Sequence, residues 1–146
     1  MICYFDTSAF VPILIDESSS SSCSELWNTA HDVVTTRLLY VEASAALARA
    51  QRSGRVSSAK LRTAQEGLTE LWQEFDVVEL DGELSRRAAE LALKSSLRGY
   101  DAVHCAAAEQ LFGDGDLVAA SGDKTLLAVW RELGVPTADI NNPDEL

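Results

Sequence analysis

Short apolar runs alternate along this chain with longer stretches whose apolar residues recur every three to four positions. Ile2 to Phe5 is an apolar run that ends at Asp6 and predicts a buried strand. Cys23, Leu26, Trp27 and Ala30 keep helical spacing, with the serine run Ser18 to Ser22 as the approach to that helix. Val33-Val34 begins a second strand. From Leu38 to about Ser53 the chain is rich in Ala and Leu with no breaker until Gly54, which predicts a helix. Ser57 or Ser58 can cap the next helix, whose stripe is Leu61, Ala64, Leu68, Leu71, Trp72 and Phe75. Val77 to Leu80 reads as a third strand, and Asp81 as the cap of a helix bearing Leu84, Ala88 and Leu91. Tyr100 to Phe112 predicts a further helix, stopped by Gly113 and Gly115. Leu117 to Ala120 is a fourth strand, and Leu126, Leu127, Trp130 and Leu133 mark a helix that ends at Gly134. A fifth short strand has room near Thr137 to Ile140.

Short apolar strands separated by helices pair in parallel, because each crossover helix must lie on a face of the sheet. The expected fold is therefore α/β: a three-layer α/β/α domain around a parallel sheet of four to five strands. No Pro/Gly-rich boundary and no internal repeat divides residues 1–146, so a single domain is expected. Such sheets place their sites at the carboxyl ends of strands. That rule directs attention to Asp6, just after the first strand, and Asp123, just after the fourth. Either alone could be a helix cap.

Glu42 is the only charge between Arg37 and Arg49, in a helix apolar enough to predict burial over most of its surface. A buried carboxylate needs a partner or a metal, the plain alternative being a salt bridge to Arg37. Asp101 opens a second helix almost free of charge, Gly99-Tyr100-Asp101-Ala102-Val103-His104-Cys105. The helix dipole alone would favour an acid in that first turn. Together, Asp6, Glu42, Asp101 and Asp123 would repel one another, and a hard divalent cation relieves this. Oxygen donors select Mg²⁺ or Mn²⁺ over zinc.

In this order, four pieces carry a resemblance: Asp6-Thr7-Ser8-Ala9-Phe10, Glu42 in its Ala-rich helix, Leu97-Arg98-Gly99-Tyr100-Asp101-Ala102-Val103-His104, and Ala120-Ser121-Gly122-Asp123-Lys124-Thr125-Leu126. The chain resembles a PIN-domain ribonuclease, and within that family the VapC toxins of type II toxin–antitoxin pairs. The resemblance implies that Asp6, Glu42, Asp101 and Asp123 form an acidic pocket for Mg²⁺ or Mn²⁺, supported through hydrogen bonds by Ser121 and Ser8. It implies cleavage of structured RNA (transfer or ribosomal), hence a block of translation, with a homodimeric assembly and a cognate VapB-type antitoxin. Gly122 departs from the family, where larger residues are usual.

The net charge is −11, from 12 Lys+Arg against 23 Asp+Glu, the wrong sign for broad phosphate attraction. It suits a cation and a basic protein partner instead. Arg37 and Arg98, each a few residues from a site acid, are the candidates for RNA phosphate. The tract Arg49, Arg52 and Arg55 reads as a solvated face. His104, one turn after Asp101, is expected to be structural, and Trp27, Trp72 and Trp130 to be core or interface anchors. Three scattered cysteines, Cys3, Cys23 and Cys105, predict buried free thiols. No run reaches the roughly 20 apolar residues of a membrane span, and the N-terminus lacks a basic leader, so a cytoplasmic location is expected.

Three other readings compete. A phosphoacceptor receiver-like signalling domain wants paired acids near the first strand and a Lys after the last. Only Asp6 follows the first strand, and no Lys occurs after Lys124. A haloacid-dehalogenase-like phosphatase wants a second Asp where Ser8 stands. A PIN-like protein that binds RNA without cutting it remains a third.

Overall fold

The computed structural model describes residues 1–113 and 115–145. Among them, five strands run in parallel in the order β3-β2-β1-β4-β5. These are β1 (Ile2–Phe5), β2 (Asp32–Thr36), β3 (Phe75–Val78), β4 (Leu117–Ser121) and β5 (Thr137–Asp139). The helices between them are α1 (Thr7–Leu14), α2 (Ser20–Thr29), α3 (Leu38–Arg52), α4 (Ser58–Trp72), α5 (Gly82–Ser95), α6 (Gly99–Leu111) and α7 (Lys124–Glu132). The three-layer α/β/α expectation holds, with the fifth strand present.

Alternation along the strands separates two cores. Cys3, Phe5, Val33, Phe75 and Ala120 face the layer of α1 to α4, where they meet Phe10, Cys23, Leu39, Leu47 and Leu68. Tyr4, Val34, Leu117 and Ala119 face α5 to α7 and meet Leu84, Leu91, Cys105, Leu127 and Trp130. Cys3, Tyr4 and Phe5 are fully buried, as a central strand covered on both faces must be. Trp130 is equally buried, and its indole N–H donates to the Cys105 carbonyl at 3.3 Å. Trp27 packs against Phe5, Phe10 and Phe75, while Trp72 meets Tyr40 edge-on and Phe75 at a tilt. All three cysteines are free and buried, and burial raises their thiol pKa values, Cys3 to about 12.

Several boundaries moved for identifiable reasons. Phe75, expected on the α4 stripe, is the first residue of β3, where it pairs with Val33 and joins the aromatic cluster. Glu79 and Leu80 therefore lie beyond the strand, in the turn before Asp81 caps α5. Three of the serines belong to α2 itself, because Ser20 accepts from the Glu17 N–H and donates to the Ile15 carbonyl, closing the first turn. The expectation that α3 is buried on most of its surface fails. Only Leu39, Ala43, Leu47 and Ala50 are buried, while Tyr40, Val41, Ser44 and Ala45 are exposed. Composition reported an apolar helix, but not how much of it faces solvent.

The sheet's topology sets where chemistry can sit. From β1 the chain moves outward through β2 and β3, then returns to the other side of β1 as β4 and β5. The connections therefore leave β1 and β4 in opposite directions, which opens a crevice at their carboxyl ends. Asp6 and Asp123 flank that crevice, and the Asp6 N–H donates across it to the Ala120 carbonyl at 3.2 Å.

Candidate metal-binding active site

Asp6 enters the crevice from the last turn of chain before α1. It caps that helix through Oδ1, which accepts from the Ala9 N–H at 3.0 Å and the Ser8 hydroxyl at 2.7 Å. Oδ2 accepts from the Ser121 hydroxyl at 2.5 Å. Both the capping and the site reading of Asp6 are thus satisfied by one side chain. Ser121 also accepts from the Asp123 N–H, and Ser8 accepts from the Gly122 N–H. The two serines bind the start of α1 to the loop after β4. Burial pushes the Asp6 carboxyl above its ordinary range, opposed by the His104 ring and by these hydrogen bonds.

Asp123 caps α7, its Oδ1 accepting from Thr125 and Leu126. Its Oδ2 takes no part in the cap. Asp101, on the first turn of α6, is 8% exposed, and burial pushes it up as well. Arg98 opposes that rise, because its Nε donates to Asp101 Oδ2 at 2.9 Å while Nη2 reaches Asp123 Oδ2 at 3.3 Å. The guanidinium also lies 4.7 Å from the centre of the Tyr100 ring. α5 ends with Ser96 at φ 54°, a left-handed turn that swings Leu97 and Arg98 back toward the crevice.

Glu42 projects from the second turn of α3. Its Oε1 accepts from the Thr7 hydroxyl at 2.8 Å and from His104 Nε2 at 2.7 Å. His104 in turn lies with Nδ1 2.7 Å from the Tyr4 hydroxyl, inside the core. A carboxylate only accepts, so the Nε2 atom carries a proton. In a neutral ring Nδ1 then accepts from Tyr4, whose phenol burial holds well above its usual range. His104 is indeed buried and satisfied, as expected, but it also reaches the acids and fixes one of them. Tyr4 and Thr7 were missed by the sequence reading. An alternating strand position gives no sign that a hydroxyl will meet a histidine one hundred residues away.

Asp6, Glu42, Asp101 and Asp123 line one cavity of about 520 Å³, together with Ser8, Arg98, His104 and Arg49. The structure brings all four acids named from the sequence to that single space. Arg37 lies elsewhere: it pairs with Glu79 and covers the Trp72 ring, so neither a salt bridge to Glu42 nor a place in the cavity is available to it. Arg98 is present but already paired to two acids. His31 sits at the opposite edge of the sheet, its Nδ1 2.7 Å from the Met1 amino group.

The donor set is hard oxygen throughout, which fits a divalent cation of the Mg²⁺ or Mn²⁺ type. Two carboxylate oxygens of the cavity are also left over: among the described residues, neither Glu42 Oε2 nor Asp101 Oδ1 accepts a hydrogen bond. No three His, Cys, Asp or Glu side chains among the described residues are drawn tightly enough to enclose an ion. The Arg98 guanidinium offsets part of the negative charge of Asp101 and Asp123.

A doubly wound parallel sheet with acids from four separate segments at its switch point defines a family. The chain belongs to the PIN-domain family, whose model matches residues 3–129. Its sequence is 40% identical over 123 residues to ribonuclease VapC45 of Mycobacterium tuberculosis strain CDC 1551 / Oshkosh. The alignment covers 84% of this chain and 85% of that one. The same identity and coverage hold for ribonuclease VapC49 of Mycobacterium tuberculosis strain H37Rv. Among solved structures, FitAcB from Neisseria gonorrhoeae matches with a TM-score of 0.72 at 17% identity over 100% of both chains. Mycobacterium tuberculosis VapC20, described as a sarcin-ricin loop cleaving toxin, matches with a TM-score of 0.64 at 17% identity, covering 87% of this chain and 94% of that one. At such identities these two structures establish the shared fold. PIN-domain ribonucleases are generally metal-dependent. No helix among the described residues is long and apolar enough to cross a membrane.

Proposed function

We propose that this chain, as a single PIN domain over residues 1–146, is an endoribonuclease toxin of a toxin–antitoxin pair. Its reaction is hydrolysis of a phosphodiester bond in structured RNA (transfer or ribosomal), which stops translation. The observation that carries the reading is the convergence of Asp6, Glu42, Asp101 and Asp123 on one cavity at the sheet's switch point. Kinship with ribonuclease VapC45 and VapC49 supports the same reaction.

Asp6, Glu42, Asp101 and Asp123 would hold Mg²⁺ or Mn²⁺. When bound, such a cation lowers the pKa of water and neutralises charge developing on phosphate. The chain's own part is to keep four acids in place before the cation arrives. Ser8 and Ser121 hold both oxygens of Asp6, and Thr7 and His104 hold one oxygen of Glu42. Arg98 neutralises part of the charge of Asp101 and Asp123, in the place a cation would take.

The net charge of −11 favours a basic protein partner over a broad RNA-binding face, which supports a VapB-type antitoxin as the silencing partner. The exposed Tyr40 and Val41 of α3 and Leu93 of α5 are apolar surface that a homodimer would cover. A cytoplasmic site of action follows from the RNA substrate.

The direct test is RNA cleavage by the purified protein with Mg²⁺ or Mn²⁺, with EDTA, and with the Asp101→Asn variant. Cutting should depend on the metal and disappear in the variant. Equal cutting by variant and wild type would sink the assignment. Binding of RNA with no cutting under either metal would favour the non-cleaving alternative. In cells, expression should arrest growth, and co-expression of an antitoxin encoded beside the gene should relieve it.

A further inference from the structure

One side of the cavity is formed by α3. Glu42, Ala45, Ala46 and Arg49 all line it from α3. Their spacing of three, four and seven residues puts them on one face of the helix. Seven residues of helix separate Glu42 from Arg49 by about 10 Å along the axis. That span is long enough to part a phosphate at the acids from a neighbouring phosphate in the same strand.

The charges around Arg49 single it out. Arg98, the other arginine of the cavity, is paired to Asp101 and Asp123. Glu17, which also lines the cavity, accepts from Arg55 Nη2 at 2.6 Å. Arg49 itself is exposed, and among the described residues it makes no ion pair or side-chain hydrogen bond. Its neighbour Arg52 is exposed as well but lies outside the cavity. Placement in the last turn of α3 suits a cation, yet that preference applies to both arginines and explains neither one's position in the cavity.

We propose that Arg49 binds an RNA phosphate beside the one being cut, and so sets the register of the strand against the acids. This replaces Arg37, which lies outside the cavity, and Arg98, which is occupied, as the phosphate contact. A guanidinium offers two parallel N–H donors to a phosphate, so the contact fixes orientation as well as charge. An overall acidic protein can then hold RNA by one well-placed cation and a bound metal, without a basic face. The proposal rests on the ribonuclease reading.

The test uses a fluorescein-labelled single-stranded RNA of mixed sequence and the Asp101→Asn protein in Mg²⁺, so that the probe is bound but not cut. Binding is read by fluorescence anisotropy across a salt series. Arg49→Gln, added to that background, should weaken binding by about tenfold, the loss expected for one charged hydrogen-bonded contact. It should also lower the slope of log affinity against log salt by about 0.7, the value for one phosphate of a single strand. Arg49→Lys should keep the slope and lose part of the affinity, and Arg52→Gln should change neither. In the cutting protein, Arg49→Gln should raise KM with little change in kcat. Equal affinity and slope for Arg49→Gln and Arg52→Gln would overturn the proposal while leaving the ribonuclease reading standing. Absence of any RNA binding with Arg49 intact would overturn both.

Discussion

Removal of one hydroxyl in the core tests whether the site is held from beneath. Tyr4→Phe leaves the ring in place, including its edge contact with Trp130 at 5.9 Å between centroids, and deletes only the group facing His104 Nδ1. No buried side-chain polar atom lacks a partner among the described residues, so the native network starts fully satisfied. The variant strands one ring nitrogen in a fully buried position. Leaving such a group unpaired costs about 1–3 kcal/mol, or roughly 2–12 °C in Tm for a chain of this length. The measurement is thermal and urea unfolding of wild type, Tyr4→Phe, His104→Ala and the double variant. The two changes should be non-additive by about 1 kcal/mol, because each removes the same bond. His104 also holds Glu42, so Tyr4→Phe should lower cleavage by about tenfold through a loosened carboxylate. Additivity within about 0.3 kcal/mol would refute the claim that Tyr4, His104 and Glu42 act as one unit.

Three further outcomes follow from the same geometry. Arg98→Gln removes positive charge from beside Asp101 and Asp123, so calorimetry should show Mn²⁺ binding about two- to fivefold tighter; weaker binding would mean Arg98 helps hold the cation. Burial raises the Asp101 pKa above its unfolded value, so the stability that its bound proton contributes is present below about pH 4 and lost as pH rises through the folded-state value. In metal-free protein, wild type should therefore lose stability relative to Asp101→Asn over that rise, and a Tm difference moving the other way would contradict the burial argument. At Gly122 a Cβ would lie 3.1 Å from both Asn141 Nδ2 and the Ile140 side chain, so Gly122→Ala should cost about 1–3 kcal/mol, and an unchanged melt would show that Ile140 yields freely.

Gly122 also separates what is local to the chain from what is not. Its smallness was visible as a departure from the family, and its cause was not. The space beside it is taken by Ile140 and Asn141, which arrive from the end of β5. The strands, the helices and the parallel plan were legible because hydrophobic period is a local property of the chain. The sequence pattern starts β3 two residues late, because Phe75 suits a helix stripe and a strand equally well until its neighbours are known.

The four acids themselves were set by sequence alone: Asp6 and Asp123 by their place after strands, Glu42 and Asp101 by the absence of other charge around them. The tertiary structure decided their partners. Glu42 meets His104 across 62 residues and Tyr4 meets His104 across 100, while Arg37 is drawn off to Glu79 across 42. It also decided which arginine is free at the cavity, and how much of α3 faces solvent. Periodicity reports which face of an element is apolar, because that depends on neighbours within one or two turns. Which charge meets which depends on how the elements are stacked, and no local pattern encodes that.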